Sequence, residues 1–231
     1  MRWMRLGGDG DPVPAHAGAK GMDRGRRIGI ALSALLYRLR VRGIGRVPAT
    51  GPLVVVSNHS NFLDGPVLFG TLPRRVSFLI KAEAVTGPMG WLLRNVGQYA
   101  INRDVPDRKP LLAALSQLQA GGAIGVFPEG TRGAGNVQII SAGAGWLAAR
   151  SGAAVLPVAV RGTARPQGGR RFRPPVRVLI GEPFAIPAGT GKRAVDAATE
   201  RIRERLSGLV VELDERIAAE SGGSAPHRTA G

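Results

Sequence analysis

The sequence predicts an α/β domain in which a mostly buried, mixed sheet is flanked by helices, and three observations carry that prediction. From residue 53 onward, short runs of apolar, often β-branched residues alternate with segments whose apolar residues recur at helical spacing. Proline opens several of the helical segments, and glycine follows several of their ends. The 231 residues fit a single domain with appendages, at a prior of about 150 residues per domain.

The individual elements follow from those patterns. Six short apolar runs are predicted strands, namely Leu53–Ser57, Val76–Ile80, Tyr99–Ile101, Ala123–Phe127, Val155–Val160 and Val176–Ile180. The helical segments between them are Pro66–Leu72, Pro88–Val96, Pro110–Ala120 and Ile139–Ser151. A last helix is indicated by apolar residues that step by three and four from Val195 to Ile217. We expect it to pack on the domain, with a dimer seam as the alternative.

The ends of the chain differ in character from its middle. Residues 1–20 mix Gly, Pro and Asp and predict a disordered leader, and residues 221–231 predict a disordered tail, which leaves 49–220 as the domain. Within 21–48, an apolar stripe between arginines predicts a helix from Arg24 to Arg42. The stripe is Ile28, Ala31, Leu32, Leu35, Leu36 and Leu39. One interpretation is an amphipathic helix in a membrane interface, and the other is an ordinary helix packed on the core.

Composition narrows the classes of partner. A formal net charge of +16, with 28 of the 32 cations Arg, indicates nucleic acid, an anionic membrane surface or phosphorylated substrates, although an Arg-rich composition also arises from a GC-rich genome. An aromatic content of 5% and the lack of a recognisable reading module argue against nucleic acid. The sequence has no Cys, and with His59 as the single His outside the two ends we expect no metal site.

We predict a peripheral or monotopic protein on the cytoplasmic face of a membrane. The best apolar run, Ile28–Tyr37, is about half the roughly 20 residues that a membrane-spanning helix needs. That run lies far from Met1 and is not followed by a small-residue cleavage site, so we expect no signal peptide.

His59 and Asp64 are the first candidates for chemistry. His59 follows the apolar run LVVVS at a predicted strand end, and Asp64 comes five residues later. On one helix the two side chains would stand about 140° apart. They meet only if His59 lies in a turn and Asp64 opens the next helix, as Gly65 and Pro66 indicate. They then form a general-base pair, the alternative being a capping Asp beside a structural His.

A second cluster follows the predicted strand Ala123–Phe127. The turn PEGTRG places Glu129, Thr131 and Arg132 at that strand end, between glycines that allow close backbone approach. Arg103 follows another predicted strand end. Two arginines near the His–Asp pair would bind a phosphate group.

Four motifs in this region resemble the conserved boxes of the glycerolipid acyltransferases. NHSNFLD is similar to their N-H-x4-D box, GQYAINR to G-x-x-x-I-x-R, FPEGTRG to F-P-E-G-[TS]-R and VLPVAVRG to V-x-P-V-x-[IV]-x-G. They stand in the family's order over roughly residues 51–163. The most similar subfamily is the 1-acyl-sn-glycerol-3-phosphate acyltransferases, which act on lysophosphatidic acid.

The resemblance implies roles for residues of the first three motifs. His59 deprotonates the free hydroxyl of the lysophospholipid while Asp64 orients it, and the acyl group passes directly from acyl-CoA or acyl-carrier protein, without another cofactor. The absence of Cys and of a G-x-S-x-G elbow agrees with direct transfer. Arg103 and Arg132 hold the acceptor phosphate, and Glu129 positions the acceptor and orders the loop of Gly130, Thr131 and Arg132.

Lys81, at the end of the apolar run VSFLIK, is the candidate oxyanion donor, the alternative being a solvated lysine.

The sequence departs from the family pattern in two places. Residues 140–143 lack the Lys of a common Phe-Lys-x-Gly motif, and Ala100 replaces a larger residue. Both leave the acyl-chain and acceptor specificity open, so an acyltransferase of another lyso- or hydroxylated lipid is the alternative. The alternative of another class is a basic nucleic-acid- or membrane-binding protein without activity.

A dense basic segment follows the fourth box, between Arg161 and Arg177. It either guides CoA phosphates, an acidic carrier protein or lipid headgroups, or is only a solvated loop.

Overall fold

The computed structural model describes residues 11–102, 108–129, 134–164 and 172–222. The helices are α1 (Ala19–Leu36), α2 (Asp64–Thr71), α3 (Gly87–Asn95), α4 (Lys109–Gln119), α5 (Gly143–Ser151) and α6 (Lys192–Gly222). The strands are β1 (Arg38–Arg42), β2 (Leu53–Ser57), β3 (Val76–Lys81), β4 (Tyr99–Ile101), β5 (Ala123–Val126), β6 (Ala154–Arg161) and β7 (Pro175–Ile180).

The seven strands form one mixed sheet in the order β1-β7-β6-β2-β5-β3-β4. Strands β6, β2, β5, β3 and β4 run parallel to one another, whereas β7 is antiparallel to β6 and parallel to β1. The predicted α/β class with a mixed sheet is therefore confirmed. Because five neighbouring strands are parallel, their carboxyl ends meet at one edge, where open α/β sheets bind ligands.

Helices cover both faces of the sheet over two buried apolar clusters. One cluster brings side chains of α4, α5 and α6 against one face. The other brings α1 and α2 against the opposite face. β2 is buried at all five residues, as expected for a central parallel strand with helices on both sides.

The predicted helix from Arg24 to Arg42 is wrong in its last third. α1 ends at Leu36, Tyr37 is extended, and residues 38–42 form β1 beside β7. The physical reason is the alternation RLRVR, in which arginines face solvent and Leu39 and Val41 pack against the core. Leu39 therefore belongs to a strand and not to the apolar stripe of a helix.

Part of the predicted disordered leader also has fixed contacts. Asp11 is buried and accepts hydrogen bonds from the guanidinium of Arg74, at distances between 2.7 and 3.3 Å. The ring Nε2 of His16 lies 3.1 Å from the carbonyl oxygen of Gln98, and α1 has begun by Ala19. The structure thus extends the ordered region well before residue 21.

Two other predicted boundaries shift. The helix predicted for Ile139–Ser151 begins only at Gly143, and the last helix continues to Gly222, two residues into the predicted tail. The six strand predictions coincide with observed strands to within one residue at each end.

α1 packs through Met22 and its small and polar residues, and it leaves four large apolar side chains exposed. Gly25 and Gly29 lie against α2 and its surroundings, close to Phe69 and Gly70. The apolar residues on the other side are between 49 and 66% exposed: Ile28, Leu32, Leu35 and Leu36. Among the described residues, no helix has the length and apolar character needed to cross a membrane.

Candidate active site

The candidate site lies at the carboxyl edge of the parallel strands. His59 follows β2, Glu129 follows β5, and Thr163 follows β6. β2 lies between β5 and β6 in the sheet, so these three strand ends are neighbours. The topology therefore brings together side chains that are up to 104 residues apart in the sequence.

His59 and Asp64 are paired as the turn interpretation requires. α2 begins at Asp64, and the turn between β2 and α2 returns the chain so that Nδ1 of His59 lies 3.2 Å from Oδ2 of Asp64. Asp64 is fully buried, while the side chain of His59 keeps 17% of its surface exposed. With Nδ1 held by the carboxylate, the ring's Nε2 is the nitrogen left to take a proton.

The carboxylate of Asp64 is held on both oxygens. Oδ2 accepts hydrogen bonds of 2.8 Å from the backbone N–H groups of Ser60 and Asn61, besides its contact with His59. Oδ1 accepts a hydrogen bond of 2.5 Å from the hydroxyl of Thr163. A buried carboxylate with this many donors is satisfied and fixed in orientation.

The ring of His59 stacks on Phe127, the last residue before the PEG turn. The ring centroids are 4.2 Å apart with an angle of 24° between the planes, and Phe127 stacks in turn on Phe78 at 5.5 Å. The stacking on Phe127 and the contact with the Asp64 carboxylate together fix the orientation of the His59 ring.

Glu129 contacts the turn that carries His59. Its Oε1 accepts a hydrogen bond of 2.9 Å from the backbone N–H of His59. This contact links the first and third boxes directly, which sequence reasoning did not predict. The other predicted substrate ligands, Arg103, Gly130, Thr131 and Arg132, lie outside the described residues.

Asn58 and Thr163 are site residues that sequence reasoning missed. The side chain of Asn58, fully buried, exchanges two hydrogen bonds with the backbone of Val160, at 2.8 and 3.0 Å. Asn58 and Val160 are 102 residues apart, so their contact depends on β6 lying beside β2. The one available signal was position: Asn58 precedes His59 within the first box, and Thr163 directly follows the fourth.

Two arginines of the basic segment after the fourth box form ion pairs and hydrogen bonds within the chain. Arg161 pairs with Asp214 at 2.8 Å and also donates to the carbonyl oxygens of Ala134 and Gly135, just after the third box. Arg177 pairs with Glu220 at 2.9 Å. The hydrogen bond from Arg177 and the nearby arginine charges lower the pKa of the Glu220 carboxyl. Arg165, Arg170 and Arg171 lie outside the described residues.

Lys81 ends β3 at the same sheet edge and is exposed. It is registered with Ile101 of β4, two residues before Arg103. Its predicted role as an oxyanion donor stays a prediction. In the described part of the chain, no group of three or more His, Asp or Glu side chains is placed to hold a metal ion.

The site therefore holds a buried carboxylate against a partly exposed imidazole at the carboxyl edge of an α/β sheet. The family model described as Acyltransferase matches residues 38–161, which is more than half of the chain. The chain therefore belongs to the acyltransferase family, and it is an acyltransferase.

Its relatives include enzymes with named acceptors. It is 28% identical to a 1-acyl-sn-glycerol-3-phosphate acyltransferase of Bacillus subtilis over 79% of this chain and 96% of the relative. It is 30% identical to a lyso-ornithine lipid O-acyltransferase of Brucella abortus over 77% of this chain and 80% of the relative.

One solved structure has the same fold. The crystal structure of the 1-acyl-sn-glycerophosphate acyltransferase PlsC of Thermotoga maritima superposes with a TM-score of 0.66 at 25% identity. The match covers 84% of this chain and 79% of that one.

Proposed function

We propose that this acyltransferase transfers a fatty acyl group from an acyl thioester to the free hydroxyl of lysophosphatidic acid, giving phosphatidic acid for phospholipid biosynthesis. The observation that carries the proposal is the paired His59 and Asp64 at the sheet edge, 3.2 Å apart, within the family match. The name of the Bacillus subtilis relative, which this chain covers almost completely, supports the choice of acceptor.

The chemistry needs one base and no covalent acyl-enzyme. Nε2 of His59 takes the proton of the acceptor hydroxyl as its oxygen attacks the thioester carbonyl. The tetrahedral intermediate then collapses, the C–S bond breaks, and the leaving thiolate takes the proton from His59. Asp64 stabilises the positive imidazole between these two proton transfers, so the base is regenerated in each cycle.

Substrate contacts come from the other boxes. Arg103 and Arg132 hold the acceptor phosphate, since a guanidinium binds phosphate in a bidentate manner. Gly130 and Thr131 also contact the acceptor, and Glu129, which directly precedes them in the chain, accepts from the backbone N–H of His59. Lys81 donates to the oxyanion of the tetrahedral intermediate. The acyl donor is acyl-CoA or acyl-carrier protein, and no further cofactor takes part.

The exposed stripe of α1 supports a membrane-bound enzyme. Ile28, Leu32, Leu35 and Leu36 occupy one side of α1 at about half exposure or more. Arg24 and Arg27 in the first half of α1 and Arg38 just after its end are exposed as well. Apolar side chains in the acyl region and arginines on lipid phosphates would place the enzyme on an anionic surface, on the cytoplasmic face.

The decisive experiment compares the wild type with His59→Ala on lysophosphatidic acid and either donor. General-base catalysis contributes about 10²- to 10⁴-fold, so the variant should lose at least that lower factor in kcat. His16→Ala is the matched control because His16 contacts Gln98 outside the site. Full activity of His59→Ala would overturn the mechanism, and no phosphatidic acid from the wild type with either donor would overturn the acceptor assignment.

A second candidate acceptor is a lyso-ornithine lipid, favoured by the relative from Brucella abortus. Such an acceptor would not depend on the phosphate ligands. Arg103→Ala and Arg132→Ala should therefore raise KM for lysophosphatidic acid and leave KM for a lyso-ornithine lipid unchanged. A preference of the wild type for the lyso-ornithine lipid would replace the first assignment with the second.

A further inference from the structure

Residues at and just after the end of β6 make contacts that shape the site. The backbone of Val160 holds Asn58, and Arg161 holds the chain at Ala134 and Gly135. Gly162 has φ of +91°, and a Cβ there would collide with the carbonyl oxygen of Pro175. This left-handed turn is available to glycine at little cost and directs Thr163 back into the buried interior.

Thr163 reaches the one oxygen of Asp64 that the His59 turn does not bind. The Thr163 hydroxyl donates to Oδ1 at 2.5 Å, while Oδ2 faces His59, Ser60 and Asn61. Thr163 is 3% exposed and Asp64 is fully buried. Among the described residues, no other group donates to Oδ1, so loss of this hydroxyl would leave a buried carboxylate oxygen unpaired.

We propose that Thr163 is a positioning residue of the acyl transfer: its hydroxyl fixes the rotation of the Asp64 carboxylate so that Oδ2 stays on Nδ1 of His59. An unpaired Oδ1 would turn the carboxylate towards another donor or towards entering water. Oδ2 would then leave its three partners, and the imidazole would lose its orientation. The inference rests on the proposed general-base role of His59.

Thr163 also makes a backbone contact, and side-chain substitutions can test the hydroxyl without removing that contact. Its carbonyl oxygen accepts from the hydroxyl of Tyr37 at 3.5 Å, next to the end of α1. Side-chain substitutions leave this carbonyl in place. Thr163→Val removes only the hydroxyl at nearly constant volume, and Thr163→Ser keeps the hydroxyl and removes the methyl group.

The kinetic experiment measures kcat and KM of both variants with lysophosphatidic acid. Displacement of a catalytic group by about 1 Å costs up to about 100-fold in rate, so Thr163→Val should lower kcat by about 10- to 100-fold with KM unchanged. Thr163→Ser should stay within a few-fold of the wild type. Thr163→Ala takes the place of Thr163→Val if the latter does not fold.

A double-mutant cycle separates action through Asp64 from a general loss of structure. In the Asp64→Ala background, Thr163→Val should cause no further loss of kcat. Losses that multiply in the double variant, an inactive Thr163→Ser, or a fully active Thr163→Val would each overturn the proposal.

A measurement without substrate keeps this inference separate from the proposed function. The Nδ1–H proton of His59 is protected from exchange by Asp64, so its NMR signal should be seen in the wild type and in Thr163→Ser. It should broaden or vanish in Thr163→Val through exchange with water. An unchanged signal in Thr163→Val would overturn the positioning role, whichever lipid the enzyme acylates.

Discussion

The side chain of Asn58 and the backbone of Val160 exchange two hydrogen bonds, one in each direction. Asn58 Nδ2 donates to the carbonyl oxygen of Val160, and the N–H of Val160 donates to Oδ1 of Asn58. Asn58 is the first residue after β2 and directly precedes His59, so its side chain ties the chain to β6 just beyond the last β2–β6 pair, Ser57 and Val158. The strand pairing thus sets where the His59 turn begins.

Asn58→Ala should therefore reduce both stability and activity. It leaves the N–H and carbonyl of Val160 buried without their partner, and an unsatisfied buried group costs about 1–3 kcal/mol. We expect thermal unfolding to show a loss of that size and kcat to fall with it. Asn95→Ala is the control, because Asn95 makes one exposed contact with Trp91. Equal behaviour of the two variants would contradict the role given to Asn58.

Asp64→Asn should remove the negative charge at residue 64 while keeping most of its hydrogen bonds. The amide oxygen can accept from Ser60 and Asn61, while the amide nitrogen faces the hydroxyl oxygen of Thr163, which can accept. The variant should fold with nearly wild-type stability and lose roughly 100-fold or more in kcat, because the imidazolium loses its counter-charge. Near wild-type turnover of a folded Asp64→Asn enzyme would show that the charge is dispensable.

Glu129→Gln and Glu129→Ala should differ in their effect on activity. Gln keeps an oxygen that can accept from the backbone N–H of His59, whereas Ala leaves that N–H without its partner. If holding the turn is the main role, Glu129→Gln retains most of the wild-type kcat and Glu129→Ala does not. The measurement is kcat of both variants with lysophosphatidic acid and the same acyl donor. A kcat of Glu129→Gln as low as that of Glu129→Ala would show that the negative charge of Glu129 is what activity requires.

Charges on the exposed stripe of α1 should weaken binding to lipid vesicles. Leu32→Glu and Leu35→Glu each place a carboxylate where an apolar side chain is 50 or 66% exposed. Because both sites face away from the core, we expect unchanged thermal stability but reduced flotation with anionic vesicles. Val211→Glu, on the exposed side of α6 at 54%, is the control. Flotation that is equal in all three would exclude α1 as the membrane contact.

The phenol of Tyr99 should ionise at higher pH than an ordinary tyrosine in an alkaline titration. Burial raises the pKa of its phenol from 10.0 to about 12. The neutral form is the one that the fold favours, so stability is fully present below pH 10 and is lost as the pH rises towards 12. Absorbance of tyrosinate should show this step in the wild type and in Tyr37→Phe, and lose it in Tyr99→Phe. The chain has two Tyr, so the assignment is direct.

The sequence was sufficient for the class of fold and for the His59–Asp64 pair because both depend on local patterns. Alternation of strand and helix signals predicts an α/β domain with a mostly buried sheet, and GP directly after Asp64 predicts the helix start that returns the carboxylate to the turn. The end of α1 was missed for the opposite reason. Leu39 fits both a helical stripe and the alternation RLRVR, and only the pairing of β1 with β7 decides between them.

The contacts of Asn58 and Thr163 were beyond prediction from the sequence. Each joins residues about a hundred positions apart, and each exists because β6 lies next to β2 in a defined register. Strand order in a sheet is a property of the whole domain, so no local window contains it. The same holds for Glu129, whose contact with the His59 turn requires β5 on the other side of β2.

Gly29 of α1 and Gly70 of α2 touch through their backbones, since a Cβ on Gly70 would come within 2.9 Å of the N of Ile30. Asp64 begins α2, so the helix proposed to lie on the lipid packs directly against the helix that starts with the carboxylate. The depth at which α1 rests would set the height of His59 above the headgroups. A methyl group at residue 70 would change that height, and with it which lipid hydroxyls come within reach.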